Sequence, residues 1–473
     1  MAWMAFGNWT EQIVNLAVFT ILARLLGAEA FGLVAMAIAF VILCEFLVRE
    51  SVSEYLIAAH APGPGDLNAV FWLLVALGAG LSVLLALLAQ PIARAYGQPE
   101  VAPLIWWLSP TILMIAPTAV PVAVLRRSMR FEILSIRAVA GYLAGGIVGV
   151  AMALSGFGVW SLVGQRLAQI GVDSALAWFG AHWLPRLDTR GADLRRILNF
   201  GGQVLGLRAA ELALVQTPIV VTGALLGPAA AGYYALAWRL VETLSHLVIT
   251  PIRTAAQPAF AAMRRDGARP GDMLVDTLRL ATLALYPAFF GLALVAEPLL
   301  VAVFGADWRA AAPALVGLCG LGLVLSVDKL QQVFGLALGR IGRFTLLTWL
   351  SVLLTAAFAP IAARWGLAAV AWSGVAALAI PGLLRMALIV RLAEVRVTDL
   401  LRPHLLPLAG AIAMGAAVVA ALGLLSALAP IAQAAGAVLT GVVAYALATL
   451  ATMRDRIRLA VLLIRGDRPR PSS

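Results

Sequence analysis

Residues 25–37 read LLGAEAFGLVAMA and residues 225–237 read LLGPAAAGYYALA. Leu25, Leu26, Gly27, Gly32, Ala35 and Ala37 each recur two hundred positions later. Each copy joins two apolar runs long enough to cross a membrane, and self-similarity at matching places in two halves marks an internal duplication. A second echo strengthens it. LRRSMRF at 125–131 and LGRIGRF at 338–344 share the Leu, the second Arg and the final Arg-Phe. The first motif joins the first run of a half to the second, and the other joins the fourth to the fifth. Six runs separate the copies, and six is even. Both halves therefore cross the bilayer in the same sense, a parallel repeat about an axis along the membrane normal.

The composition around these motifs is that of a membrane protein. Of 473 residues, 62% are hydrophobic and 12% are charged, where soluble domains are about half apolar and about a quarter charged. Runs of about 20 apolar residues match the thickness of the hydrocarbon core, and backbone groups in lipid must pair internally, so the runs are helical. No period-two alternation exists that would suit an outer-membrane barrel. About fourteen spans are expected from this periodicity. They divide into an N-terminal lobe at 1–181, a cytoplasmic linker at 182–197, a second lobe at 198–392, a helix pair at 404–453 and a basic cytoplasmic tail at 454–473. No connection is long enough to fold as a separate soluble domain.

The formal charge is +11, and Lys329 is the only lysine. The arginines fall in alternate connections, roughly twenty in the even ones and the tail against roughly four in the odd, which is positive-inside patterning. Both termini are expected in the cytoplasm. Anionic lipid headgroups are the expected partners of these arginines, and nucleic acid is not. Cys44 and Cys319 both fall inside spans, so no disulfide framework is read from them. His60, His182, His246 and His404 form no cluster with metal spacing. The first span begins almost at Met1 without a basic flank, so no cleavable signal is read there.

Ionisable side chains at membrane depth cost at least about 2.5–3.5 kcal/mol each, so they face a partner or a watery cavity. In span eight, Arg239, Glu242, Thr243, His246, Thr250 and Arg253 fall within an arc of about 100° at helical spacing. Span one carries Asn8, Glu11, Gln12 and Asn15 on a similar arc. Span seven adds Gln203, Arg208, Glu211 and Gln216, span two places Glu45 and Arg49 one turn apart, and span six aligns Arg166, Gln169 and Asp173. The plainer reading is that Arg239 with Glu242, Arg208 with Glu211, and Glu45 with Arg49 are local ion pairs. The span-eight stripe exceeds what pairing requires and suits a cavity wall. Pro251 lies within that stripe and is a place for a bend.

ILARLLGAEAFGLVAMAIAF in the first two spans, LRRSMRFEILSI and SGFGVWSLV around the fifth, GYYALAWRL at 232–240 and AEPLLVAVFGADWRAAAPAL at 296–315 carry a family likeness. They resemble the polysaccharide transporter branch of the multidrug/oligosaccharidyl-lipid/polysaccharide exporter superfamily, which includes Wzx-type O-antigen and exopolysaccharide flippases. The basic segment that usually precedes the first span in that branch is missing here. The resemblance implies an all-α fold of two six-helix lobes in a V-shaped, MATE-like arrangement, with alternating access. It also implies an inner-membrane location and a polyprenyl-diphosphate oligosaccharide as cargo. For such cargo Arg239, Arg208 and Arg49 are the expected diphosphate ligands, because arginine offers a planar fork of donors. Asn8, Gln12, Asn15 and Gln203 would meet the glycan. Glu11, Glu45, Glu211, Glu242 and His246 would couple a proton or sodium ion, and Pro251 would gate. No cofactor is expected, the chain is expected as a monomer, and a polysaccharide polymerase or export complex is an expected partner. A cation-coupled small-molecule exporter of the same superfamily is the competing reading. A membrane enzyme is disfavoured, since the outward connections contain almost nothing titratable.

Overall fold

The computed structural model describes residues 2–58, 63–190, 194–266, 270–338 and 341–465, with the side chains of 2–9, 50–58, 64, 194–205, 207, 255, 257–266, 270, 336–337, 341 and 451–465 excepted. Sixteen α-helices and two 3₁₀ turns make up the described residues, and no strand occurs among them. The helices are α1 (Ala2–Ala58), α2 (Pro64–Tyr96), α3 (Val101–Leu108), α4 (Pro110–Ile115), α5 (Ala119–Arg127), α6 (Phe131–Leu154), α7 (Trp160–Ala181) and α8 (Leu194–Leu226). They continue as α9 (Pro228–Asp266), α10 (Pro270–Leu294), α11 (Ala296–Phe304), α12 (Ala312–Ala337), α13 (Ile341–Ala363), α14 (Leu367–Ala393), α15 (Val397–Leu424) and α16 (Pro430–Arg465).

Eleven of the described helical segments are long and apolar enough to cross a membrane. That number is reconciled with fourteen crossings by three helices. The first segment, within α1, holds two spans joined at Gly27, whose φ of 74° and ψ of 178° break the helix. The polar helices α7 and α9 also cross, but Arg166 with Asp173, and the Arg239–Arg253 stripe, dilute their apolar character. Span four is broken into α3, α4 and α5, first at Ser109 ahead of Pro110 and again by a 3₁₀ turn at Ala116–Thr118, where Pro117 removes a backbone donor. The basic segment from Arg454 begins as the continuation of α16, and residues 466–473 lie outside the described residues.

The chain divides into two compact units, residues 1–235 with 359–364, and residues 236–358 with 365–473. Within the first, the repeated motif explains itself. Gly27 and Gly227 both adopt positive φ, 74° and 85°, a conformation in which a Cβ is strained. One turn further on, Gly32 and Gly232 meet. A Cβ on Gly32 would overlap the Pro228 carbonyl, and one on Gly232 would overlap the Ala28 carbonyl. Positions 28 and 32 thus exchange roles with 228 and 232, and backbone rests on backbone.

A second small-residue stripe positions the site. Gly141, Gly145 and Gly149 recur at four-residue spacing on one face of α6 and are buried. A Cβ on Gly145 would lie 2.7 Å from the Gln165 carbonyl oxygen, and one on Gly141 would lie 2.9 Å from that of Gln169. α6 and α7 therefore pack in close contact. The start of α6 is fastened as well, since the Arg130 guanidinium donates to the Gly180 carbonyl at 2.9 Å. The stretch after α7 is tied to α2. Asn68 donates to the Asp188 carbonyl at 2.8 Å and accepts from the Arg186 amide at 3.0 Å.

In the second unit the C-terminal pair packs on α10 through Tyr286, Ala411, Met414, Val418, Ala437 and Tyr445. Polar contacts peg that seam. Tyr445 donates to the Leu283 carbonyl at 2.9 Å, and Thr282 donates to the Pro403 carbonyl at 2.9 Å.

Candidate functional site: an arginine-lined chamber in the first unit

The glycine stripe of α6 extends one turn toward its N-terminus to Arg137, and on α7 the residue one turn beyond Gln169 is Asp173. Close packing therefore brings these two together, with Arg137 Nη1 2.8 Å from Asp173 Oδ2. One further cross-helix pair lies nearby. Arg166 of α7 reaches Glu45 of α1 at 2.6 Å. The other oxygen of Glu45 accepts from the Thr111 hydroxyl at 2.8 Å, so this buried carboxylate is held at both ends.

These pairs border a chamber of about 770 Å³. Its polar wall is made by Glu11, Arg49, Arg126, Arg137, Tyr142, Arg166, Gln169 and Asp173. A recess of about 80 Å³ shares Arg49, Arg126, Arg137 and Asp173 with it. The recess exists because the broken span four lines it with small residues, Ala119, Val122 and Ala123, beside Thr118. The Thr118 hydroxyl is already committed to the Met114 carbonyl at 2.9 Å, so the charged donors of the recess are guanidinium groups. Four arginines line the chamber against two carboxylates, Glu11 and Asp173. Arg49 and Arg126 are exposed and have no carboxylate within ion-pair distance among the described residues. An excess of positive charge beside polar, water-accessible space suits an anionic ligand, because arginine presents several donors in a fixed fork and stays charged.

The sequence-derived candidates are distributed unevenly around this chamber. Arg49 and Glu11 line it. Glu45 stands behind it, but its partner is Arg166 across the bundle rather than Arg49 one turn away. That corrects the expected local pair and leaves Arg49 facing the chamber. Gln12 and Asn15 are outside the lining, and Asn15 is buried. The side chains of Asn8 and Gln203 lie outside the described residues. Arg208 forms its local pair with Glu211 at 3.0 Å, and Arg239 forms one with Glu242 at 3.4 Å. Neither arginine lines the chamber. Along the span-eight stripe Thr243 donates to the Arg239 carbonyl at 2.8 Å, and His246 Nδ1 is 3.5 Å from the Thr250 hydroxyl. α9 remains one helix across Pro251.

Sequence reasoning did not single out Arg126, Arg137 or Tyr142. Arg126 reads as one of several topogenic charges, and Arg137 stands alone in its span. The signal that finds Arg137 is its register with Gly141, Gly145 and Gly149. Among the described residues no cluster of His, Cys, Asp and Glu is arranged to hold a metal ion.

Comparison with known proteins agrees with this architecture. The model of a family described as "Polysaccharide biosynthesis protein" matches residues 21–313. The succinoglycan biosynthesis transport protein ExoT of Rhizobium meliloti is 30% identical over 299 residues, 62% of this chain and 60% of that protein. The lipopolysaccharide biosynthesis protein WzxC of Escherichia coli is 26% identical over 334 residues, 69% of this chain and 67% of that protein. The chain thus matches about three fifths to two thirds of the length of these relatives. Among solved structures, the lipid II flippase MurJ in an inward closed conformation superposes with a TM-score of 0.77, at 14% identity, covering 97% of this chain and all of that one. An inward-facing MATE multidrug transporter gives 0.61 at 17% identity, over 81% of this chain and 96% of that one. These two likenesses establish the fold, that of a multi-pass helical membrane protein. The match over residues 21–313 is more than half of the chain, and with it the chain belongs to the polysaccharide biosynthesis protein family.

Proposed function

We propose that this chain is a flippase that carries a polyprenyl-diphosphate-linked oligosaccharide across a bacterial inner membrane for surface polysaccharide biosynthesis. The observation that carries the reading is the chamber of about 770 Å³ with four arginines on its wall. A lipid diphosphate brings about two negative charges, and charge-assisted bonds to arginine are roughly twice as strong as neutral ones. The named activities of the relatives, succinoglycan transport and lipopolysaccharide biosynthesis, support the same class of cargo.

The sidedness supports it too. By the arginine alternation both termini are cytoplasmic. The ends of spans two and four, where Arg49 and Arg126 sit, then lie on the cytoplasmic side, where the precursor would be loaded. Alternating access of the two repeated lobes would deliver it outward. Glu11, which faces the chamber, is the carboxylate best placed to couple a proton or sodium ion. A multidrug exporter of the same fold would need a wall that welcomes organic cations, and an excess of arginine repels them. A polysaccharide polymerase is the expected downstream partner.

The test is reconstitution. The purified chain in liposomes should move a fluorescent polyprenyl-diphosphate oligosaccharide between leaflets, and in cells lacking it surface polysaccharide export should be lost and restored by the gene. Movement of organic cations without movement of the lipid-linked sugar would sink the reading.

A further inference from the structure

The two ion pairs beside the chamber are built differently, and the difference assigns roles within it. Glu45 is fixed, with Arg166 on one oxygen and Thr111 on the other. Asp173 has a single ion-pair partner, Arg137, through Oδ2. Arg137 in turn spends Nη1 on Asp173, and its Nε is buried without a hydrogen-bond partner. Arg137 and Asp173 both line the chamber and the recess, together with Arg49 and Arg126. A recess of about 80 Å³, at roughly 10–15 Å³ per water-sized occupant, admits a group of about five to eight heavy atoms. That is the size of one phosphoryl group with its oxygens, and the two hydroxyls of the recess, Thr118 and Ser174, both donate to the Met114 carbonyl.

We propose that Arg49, Arg126 and Arg137 form the phosphate-binding site of the chamber, and that Asp173 is its internal competitor. Asp173 occupies Arg137 and so lessens the repulsion among three neighbouring guanidinium groups. An arriving phosphate oxygen takes Arg137 over, and Asp173 is displaced. Glu45 takes no part in this exchange, and Arg166 is a positioning residue. The assignment rests on the transport reading for the identity of the natural cargo, but its chemistry is that of a multiply charged phosphate group.

The experiment measures binding of inorganic pyrophosphate to the purified full-length protein in nanodiscs of zwitterionic lipid, by calorimetry. Arg49→Gln and Arg126→Gln should each weaken binding by about ten- to a hundredfold, the scale of a lost charge-assisted hydrogen bond. Asp173→Asn should tighten it, and should fail to do so when Arg137→Gln is already present. Arg309→Gln, in the second unit, outside the chamber's lining and paired with Glu297 at 3.1 Å, is the control for general charge loss. Tightening that persists without Arg137, or binding that ignores Arg49 and Arg126, overturns the assignment. So does equal competition by phosphatidylglycerol, which would make this a headgroup site rather than a diphosphate site. If pyrophosphate binding follows these rules while export is not restored in cells, the transport reading fails and the anion site stands. If export is restored and pyrophosphate binding is indifferent to the substitutions, this assignment fails alone.

Discussion

Each unit of the molecule contains a cross-helix arginine–carboxylate pair at membrane depth, and the two could hardly be used more differently. In the second unit Arg385 of α14 binds Asp328 of α12, with side chains only 2% and 7% exposed. The second oxygen of Asp328 accepts from Gln332 at 3.0 Å, and Arg385 donates to Thr348 at 3.0 Å. The charges cancel locally and no cavity adjoins them among those described. In the first unit Arg137 and Arg166 also meet carboxylates, yet they share their chamber with Arg49 and Arg126, whose two charges face Glu11 as the one further carboxylate of the wall. A buried arginine by itself marks nothing. What marks a site is charge left over beside space.

Three substitutions break or sharpen this contrast. The largest effect is expected in the closed pair. Asp328→Ala strands the Arg385 guanidinium in a sealed interior, and losing one member of such a pair costs about 3–5 kcal/mol. A large drop in thermal midpoint in detergent should follow, whereas replacing both partners together by Leu and Met should restore much of it. If the single and double variants melt alike, the pair is not the sealed unit described here. Next in size is Gly32→Ala. Its methyl would meet the Pro228 carbonyl, and forced overpacking costs about 1–3 kcal/mol. The variant should be less stable and export poorly, and unchanged melting would contradict the backbone contact. The smallest effect belongs to Arg309 and Glu297, whose side chains are 64% and 59% exposed. Such pairs contribute about 0–1 kcal/mol, so Arg309→Ala should leave melting almost unchanged.

How much of this could be read from the chain follows from the range of the interactions involved. The spans were legible because lipid imposes a length and a composition on every one of them, and only α7 and α9, diluted by Arg166, Asp173 and the Arg239–Arg253 stripe, needed the charge alternation to be counted. The Gly27 and Gly32 motif was legible because it is written twice. The chamber was not. Glu45 and Arg49 are one turn apart, so spacing permits their pairing, but which partner Glu45 takes is decided by α7 lying closer to its tip, and one chain's spacing does not record that. Arg126 was hidden among arginines that only set topology. Arg137 and Asp173 lie 36 positions apart, and only the four-residue glycine register of α6 hints that the helices touch there. Arg208 and Arg239 attracted attention because their helices are conspicuously polar, yet each is answered by a carboxylate three residues on.

The meeting of Gly32 with Gly232 has a consequence for how far this architecture can drift. When a side chain is wedged against another side chain, a mutation on the far side can make room. Here the obstacle on each side is a carbonyl, which no amino-acid exchange can shorten. Neither glycine can therefore be rescued by a change at the other, and widening the crossing would mean moving whole helices. The two positions are tied together as one immovable point, around which the rest of both copies is free to diverge.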